Sequence, residues 1–143
     1  MAKATLQGFK ITKIDMVSAI NDPGDFMATT QFEFDVHYTP DNTHAIAELT
    51  ITLEMANQPE EFHIDLTLEG AFNLSGVVDT ETKKDAHIMC YDVLFTAANQ
   101  LIKLLVSHGG IAGFELGKVP LKRENIHFGE ETENSGKIID FPQ

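Results

Sequence analysis

Three stretches of strict two-residue alternation, followed by one long stretch of helical periodicity, decide most of what this chain can become. In Thr30 to Tyr38, Phe32, Phe34, Val36 and Tyr38 share one parity, and Gln31, Glu33, Asp35 and His37 take the other. Period two marks a strand with one face buried. After the turn residues Pro40, Asp41 and Asn42, Ala45, Ala47, Leu49, Ile51, Leu53 and Met55 alternate with Ile46, Glu48, Thr50, Thr52 and Glu54. Beyond Asn57, Gln58 and Pro59, Phe62, Ile64, Leu66 and Leu68 alternate with His63, Asp65, Thr67 and Glu69, and Gly70 marks the end of the regular pattern. An earlier segment, Leu6 to Val17, is rich in strand formers, but its parity slips near Ile11 to Ile14, which predicts a bulge. It leads into the loop residues Asn21 to Asp25. Short links between consecutive strands predict an antiparallel meander.

From about Lys83 to Ser107 the period becomes helical, with Asp79 or Thr82 as N-cap and Gly109 and Gly110 as the stop. At 100° per residue, Tyr91, Leu94, Ala98, Leu101, Ile102 and Leu105 fall together. Phe95 and Val106 widen that stripe on one side, and Val93, Ala97 and Leu104 on the other. A surface helix needs an apolar arc of about 100°, and this one has about twice that. The fold class is α+β, a four-stranded antiparallel sheet followed by one long helix packed on one face. Four strands make a sheet about 19 Å wide, whereas a helix covers about 10 to 12 Å. The twelve large side chains on the inward parity of the three clear strands therefore call for a further cover.

Charge narrows the function. Ten basic against twenty-two acidic groups leave −12 overall, and residues 1–80 carry three Lys against thirteen carboxylates. Such a field repels phosphate and argues against nucleic acid as a partner. The start of the chain shows no apolar leader and no run reaches the ~18 apolar residues of a membrane span, so export and membrane insertion are not expected. The single Cys90 excludes an intrachain disulfide and suits a cytoplasmic setting. Outward on the clear strands lie Glu33, Asp35, Glu48, Glu54, Asp65 and Glu69, with His37 and His63 but no Lys or Arg. A one-signed face fits a cationic partner better than the mixed charges of an ordinary surface.

The residues Gly70-Ala71-Phe72-Asn73-Leu74-Ser75-Gly76, then Leu94-Phe95 with Ala98, Ile102, Val106-Ser107 and Gly109, resemble the SecB export chaperones in order and spacing. In that family a fourth strand leads into a G-x-F-x-[IL]-x-G segment, and the long helix carries L-F-x-x-A and ends in V-S-x-G. The likeness is best over residues 62–110. Thr96 stands where the family usually has proline, and the tail promises no second helix. Small SecB-like proteins of unassigned function belong to the same group.

The resemblance implies a four-stranded sheet backed by the long helix, assembled as a dimer of dimers with helices between the sheets. It implies an ATP-independent holdase whose apolar groove binds unfolded or extended polypeptides, which an acidic sheet surface then helps deliver to the SecA translocation motor. Asp65 falls near an acidic position of that surface. On this reading Leu94, Phe95, Leu101, Ile102 and Leu105 form the interface of a homodimer or homotetramer. Phe32, Phe34, Leu49 and Phe62 line the client groove. Residues 1–121 form the domain, and 122–143 an irregular tail with two apolar islets, Ile126 with Phe128 and Ile138-Ile139 with Phe141.

Two other classes compete. An oligomeric adaptor would recognise one particular partner. A small-ligand pocket between helix and sheet is the third reading, as in helix-on-sheet thioesterases, but there the helix comes early in the chain. An enzyme has least support, since no phosphate loop, G-x-S-x-G elbow or H-E-x-x-H is present, and no cofactor is implied. His37 and His63 lack the tight spacing of a metal site. His87 and Cys90, one helical turn apart, read as packing.

Overall fold

The computed structural model describes residues 2–19, 28–56, 61–108, 116–117 and 120–128, with His127 by its backbone alone, together with the backbone of 135–138. Four long strands, β1 (Lys3–Ser18), β2 (Ala28–Tyr38), β3 (His44–Met55) and β4 (Phe62–Ser75), precede one helix, α1 (Thr80–His108). A 3-10 turn at Arg123–Asn125 and two short strands, β5 (His127–Phe128) and β6 (Ser135–Ile138), follow. The α+β architecture is the one expected, an antiparallel sheet followed by one long helix on one face.

β2, β3 and β4 run as a meander. The sheet order is β1-β4-β3-β2-β6-β5, so β1 lies beside β4 rather than β2. The link from β1 to β2 must cross three strand spacings, about 14 Å, well within reach of nine residues. β1 breaks register between Leu6 and Gly8 and again between Ile11 and Lys13, the second break falling where the parity of the sequence slips. Gly70 does not end β4. It sits within the strand because α1 passes close above it, where an added Cβ would lie 2.9 Å from Leu94 Cδ2. The turn at Pro40 to Asn42 is held by Asp41, whose Oδ1 accepts from Thr39 Oγ1, Thr43 N and Thr43 Oγ1. Asn42 takes the left-handed φ of 57° that asparagine tolerates. The loop clusters at 21–25 and 57–59, the Gly109-Gly110 stop and the Ile139 and Phe141 part of the second islet lie outside the described residues.

Asp79 caps α1. Its Oδ1 accepts from Thr82 N at 2.9 Å, and Thr82 Oγ1 in return accepts from Asp79 N at 3.0 Å, a reciprocal box. By length and composition α1 is apolar enough to cross a membrane, but here it packs on the sheet. Spanning about 43 Å, it buries Ala86, His87, Cys90, Tyr91, Leu94, Phe95, Ala98, Ile102 and Val106. Aromatic pairs fasten it to β2: Phe34 meets Tyr91 at 5.3 Å and Phe32 meets Phe95 at 5.9 Å. Residues 122–143, read as irregular, instead contribute a turn and two strands where they are described, and β6 pairs with β2. The buried Leu116, Leu121 and Ile126 join the core, and Phe128 packs against it. Arg123 ties this segment back to α1 through Glu81 and Asp85.

Candidate functional site

Cross-strand register arranges the outer face in rows. Asp35, Glu48, Glu69 and Lys10 stand side by side across β2, β3, β4 and β1. The next rows are Glu33, Thr50, Thr67 and Lys13, then Gln31, Thr52, Asp65 and Asp15, then Thr29, Glu54, His63 and Val17. All six carboxylates expected on one face do share it, and each is exposed or half-buried. The face is not wholly one-signed, because β1 brings Lys10 and Lys13 to its border. Lys10 Nζ lies 3.4 Å from Glu69. A shallower row, His37, Ile46, Ala71 and Gly8, crosses the same face. Within it the small Gly8 and Ala71 line a hollow of about 460 Å³ bordered by Gln7, Phe9, Lys10, Ile46 and Glu69.

The expected client groove is not a groove. Phe32, Phe34, Leu49 and Phe62 are at most 4% exposed and form the core of the protomer. Eleven of the twelve large inward side chains are buried and Met55 is half-buried. The long helix together with Leu116, Leu121, Ile126 and Phe128 covers a sheet that the helix alone would not. The expected interface divides. Leu94, Phe95 and Ile102 are core residues, whereas Leu101 and Leu105 remain half-buried.

The uncovered apolar surface lies elsewhere, on β1. Phe9, Ile11 and Ile14 pair opposite Gly70, Leu68 and Leu66, which by register places them with the core-facing set. They are nevertheless 45%, 44% and 50% exposed. The ends of the strand, through Ala4, Leu6 and Met16, pack on the core, and its middle does not. On α1, Val93, Ala97, Leu101 and Leu104 follow one another at helical spacing as a ridge that is half-buried and, at Leu104, 55% exposed. This is the flank that made the sequence arc too wide. Sequence reasoning missed the β1 residues because the two register breaks disguise their parity. The apolar run Phe9, Ile11, Ile14, Met16 was the available signal.

A second cluster is internal. Tyr38 Oη and His87 Nδ1 are hydrogen-bonded at 2.7 Å, and Phe34, Phe128 and the Lys83 chain close around the imidazole. His87 Nε2 is buried with no hydrogen-bond partner among the described residues. Burial, reinforced by the Lys83 charge, pulls the imidazole down to about 3. Burial pushes the Cys90 thiol up to about 12. Both groups are therefore neutral at pH 7, where a thiolate nucleophile or an imidazole poised for proton transfer would be needed for chemistry.

No family model matches the sequence, and no curated protein matches it. Among solved structures, the fold is similar to a SecB-like chaperone of Mycobacterium tuberculosis, determined in complex with a ChAD peptide from the HigA1 antitoxin. The TM-score is 0.64 at 15% identity, and the match covers 80% of this chain and 90% of that one. The likeness shows a SecB-like fold.

Proposed function

We propose that this chain is an ATP-independent holdase subunit that binds unfolded or extended polypeptides, works as a homodimer or homotetramer in the cytoplasm, and carries no catalytic site. The observation that carries the reading is the middle of β1, where Phe9, Ile11 and Ile14 belong to the core-facing parity yet stay about half exposed. β1 is also an edge strand, with its second edge unpaired among the described residues. Sixteen residues of edge backbone beside an apolar strip form a template for another strand. Two copies paired β1 to β1 would join their strips into one longer apolar surface, which suits an extended client better than either strip alone. The peptide bound by the SecB-like neighbour supports a polypeptide as the ligand class.

Ile11→Asp with Ile14→Asp tests this, because both side chains are about half exposed and their replacement leaves the core intact. Sedimentation equilibrium of the parent should show a dimer or tetramer, and the parent should suppress aggregation of several unrelated denatured proteins. The double variant should sediment smaller and lose the suppression. A parent that sediments as a monomer and leaves aggregation unchanged overturns the proposal.

A more specific reading draws on the outer face. A concentration of Glu33, Asp35, Glu48 and Asp65 bordered by lysines favours docking of a basic segment, such as that of a translocation motor. An adaptor that recognises one such partner would bind it and leave unrelated denatured proteins unprotected, which the same aggregation assay separates.

A further inference from the structure

The outer face carries a cluster that neither polypeptide binding nor a basic partner requires. β1 and β4 pair so that Asp15 stands directly opposite Asp65 and Val17 opposite His63. Two carboxylates directly opposed across a sheet repel each other. Asp15, His63 and Asp65 can each offer one ligand atom, and the three atoms lie within 4.8 Å of one another.

The spacing of His63 from Asp15 suits a shared ion. His63 Nε2 lies 3.6 Å from Asp15 Oδ2. That exceeds a hydrogen bond. It is close to the edge of a coordination tetrahedron, whose ligand atoms stand about 3.3 to 3.6 Å apart when each bond is roughly 2.0 to 2.2 Å. Asp65 is already oriented, since Thr52 Oγ1 donates to its Oδ1 at 3.0 Å, while its Oδ2 has no hydrogen-bond partner among the described residues. Outer-shell donors of that kind fix metal-binding carboxylates. The His63 side chain is 26% exposed and that of Asp15 59%, so water can complete the coordination from the open side.

We propose that Asp15, His63 and Asp65 form a surface site for a divalent transition-metal ion of the Zn²⁺ class, clipping the edge strand β1 to β4. One imidazole and two carboxylates make a nitrogen and oxygen set, which prefers such ions over Mg²⁺ or Ca²⁺. His37 and Asp35, 3.2 Å apart on β2 and remote from this cluster in the sheet register, lack a third ligand atom of this kind among the described residues and serve as an internal control.

The test is calorimetric titration of the chelator-stripped full chain with ZnCl₂, with Co²⁺ absorption as a probe of the ligand atoms. The expected result is saturable uptake of one ion per chain in the micromolar range. His63→Gln and Asp15→Asn should each weaken uptake on the order of tenfold or more, whereas His37→Gln should not. Both altered side chains reach solvent, and far-UV circular dichroism checks that the fold is kept. No saturable uptake, uptake indifferent to both substitutions, or a Co²⁺ spectrum with thiolate charge transfer overturns the site. None of these outcomes bears on client binding, which is read separately by aggregation suppression.

Discussion

Acid should unfold this protein earlier than its carboxylates alone would, and His87 is the reason. In the folded chain the imidazole is enclosed by Phe34, Tyr38 and Phe128 with Lys83 nearby, and it titrates near 3 instead of the ordinary 6.5. The unfolded chain therefore binds the proton first. A folded pKa below the unfolded one means stability that is fully present above the unfolded value and lost as pH falls towards the folded one. At pH 5 the unfolded imidazole is protonated across about 1.5 pH units while the native one is still neutral. At 1.36 kcal/mol per unit, that is a loss of about 2 kcal/mol relative to pH 7.5, rising to about 3 kcal/mol by pH 4. The figure at pH 5 holds for any native value below about 4. Asp41 and Asp79 are held below the usual carboxylate range by hydrogen bonds from Thr43 and Thr82, so they contribute the same sign of loss only at lower pH.

Urea unfolding at pH 7.5 and pH 5, at one protein concentration because assembly adds to stability, measures the loss directly. His87→Gln removes the titrating group while keeping a polar atom for Tyr38. It should be less stable than the parent at pH 7.5, yet lose about 2 kcal/mol less on going to pH 5. The other histidines cancel in that difference. A variant with the same acid slope as the parent, or an NMR titration in which the His87 ring resonance moves with a midpoint near 6.5, would falsify the account of an enclosed neutral imidazole.

Two further outcomes follow from particular contacts. Gly70→Ala places a methyl 2.9 Å from Leu94 Cδ2, 3.1 Å from Phe72 Cε1 and 3.2 Å from Leu6 Cδ1. Leu94 and Phe72 are fully buried, so overpacking of about 1 to 3 kcal/mol outweighs the ~0.4 to 1 kcal/mol gained from a stiffer unfolded chain. A lower urea midpoint is the expected reading, and an unchanged or higher one would count against close helix-sheet contact at this point. For the outer face, Glu33→Ala with Glu48→Ala should weaken capture of a Lys/Arg-rich peptide at low salt and flatten its salt dependence. Equal salt curves for parent and variant would remove the case for an acidic docking surface.

Local pattern made the central sheet legible. Phe32 to Tyr38, Ala45 to Leu53 and Phe62 to Leu68 reveal their faces because one buried side enforces period two. Asp79 and Thr82 reveal the helix start because the cap is a local hydrogen-bond box. The six outward carboxylates follow from the same parity. What stayed hidden is non-local. Nothing in β1 states that its partner is β4, and nothing in Ser135 to Ile138 states that β2 has a free edge to receive it. Gly70 reads as a breaker in isolation, whereas in the fold it makes room for Leu94. A helical wheel gives the width of an apolar arc but not what covers it, which is why Leu94, Phe95 and Ile102 looked like interface and are core.

The surplus of apolar surface inferred from sheet width is present, but at a different place. β2, β3 and β4 are roofed because α1 and the residues Leu116, Leu121, Ile126 and Phe128 share the task. β1 pays twice for its position, once as an edge strand and once through two register breaks that leave Phe9, Ile11 and Ile14 beyond the roof. A long edge strand is ordinarily blunted by charges, and here Lys10 and Lys13 do so only on the opposite face. On the apolar side nothing among the described residues protects it. An edge left adhesive on one side and guarded on the other pairs in one orientation, with its apolar side chains turned towards those of its partner. That orientation is what a second copy, or an extended client laid along the strand, would have to adopt.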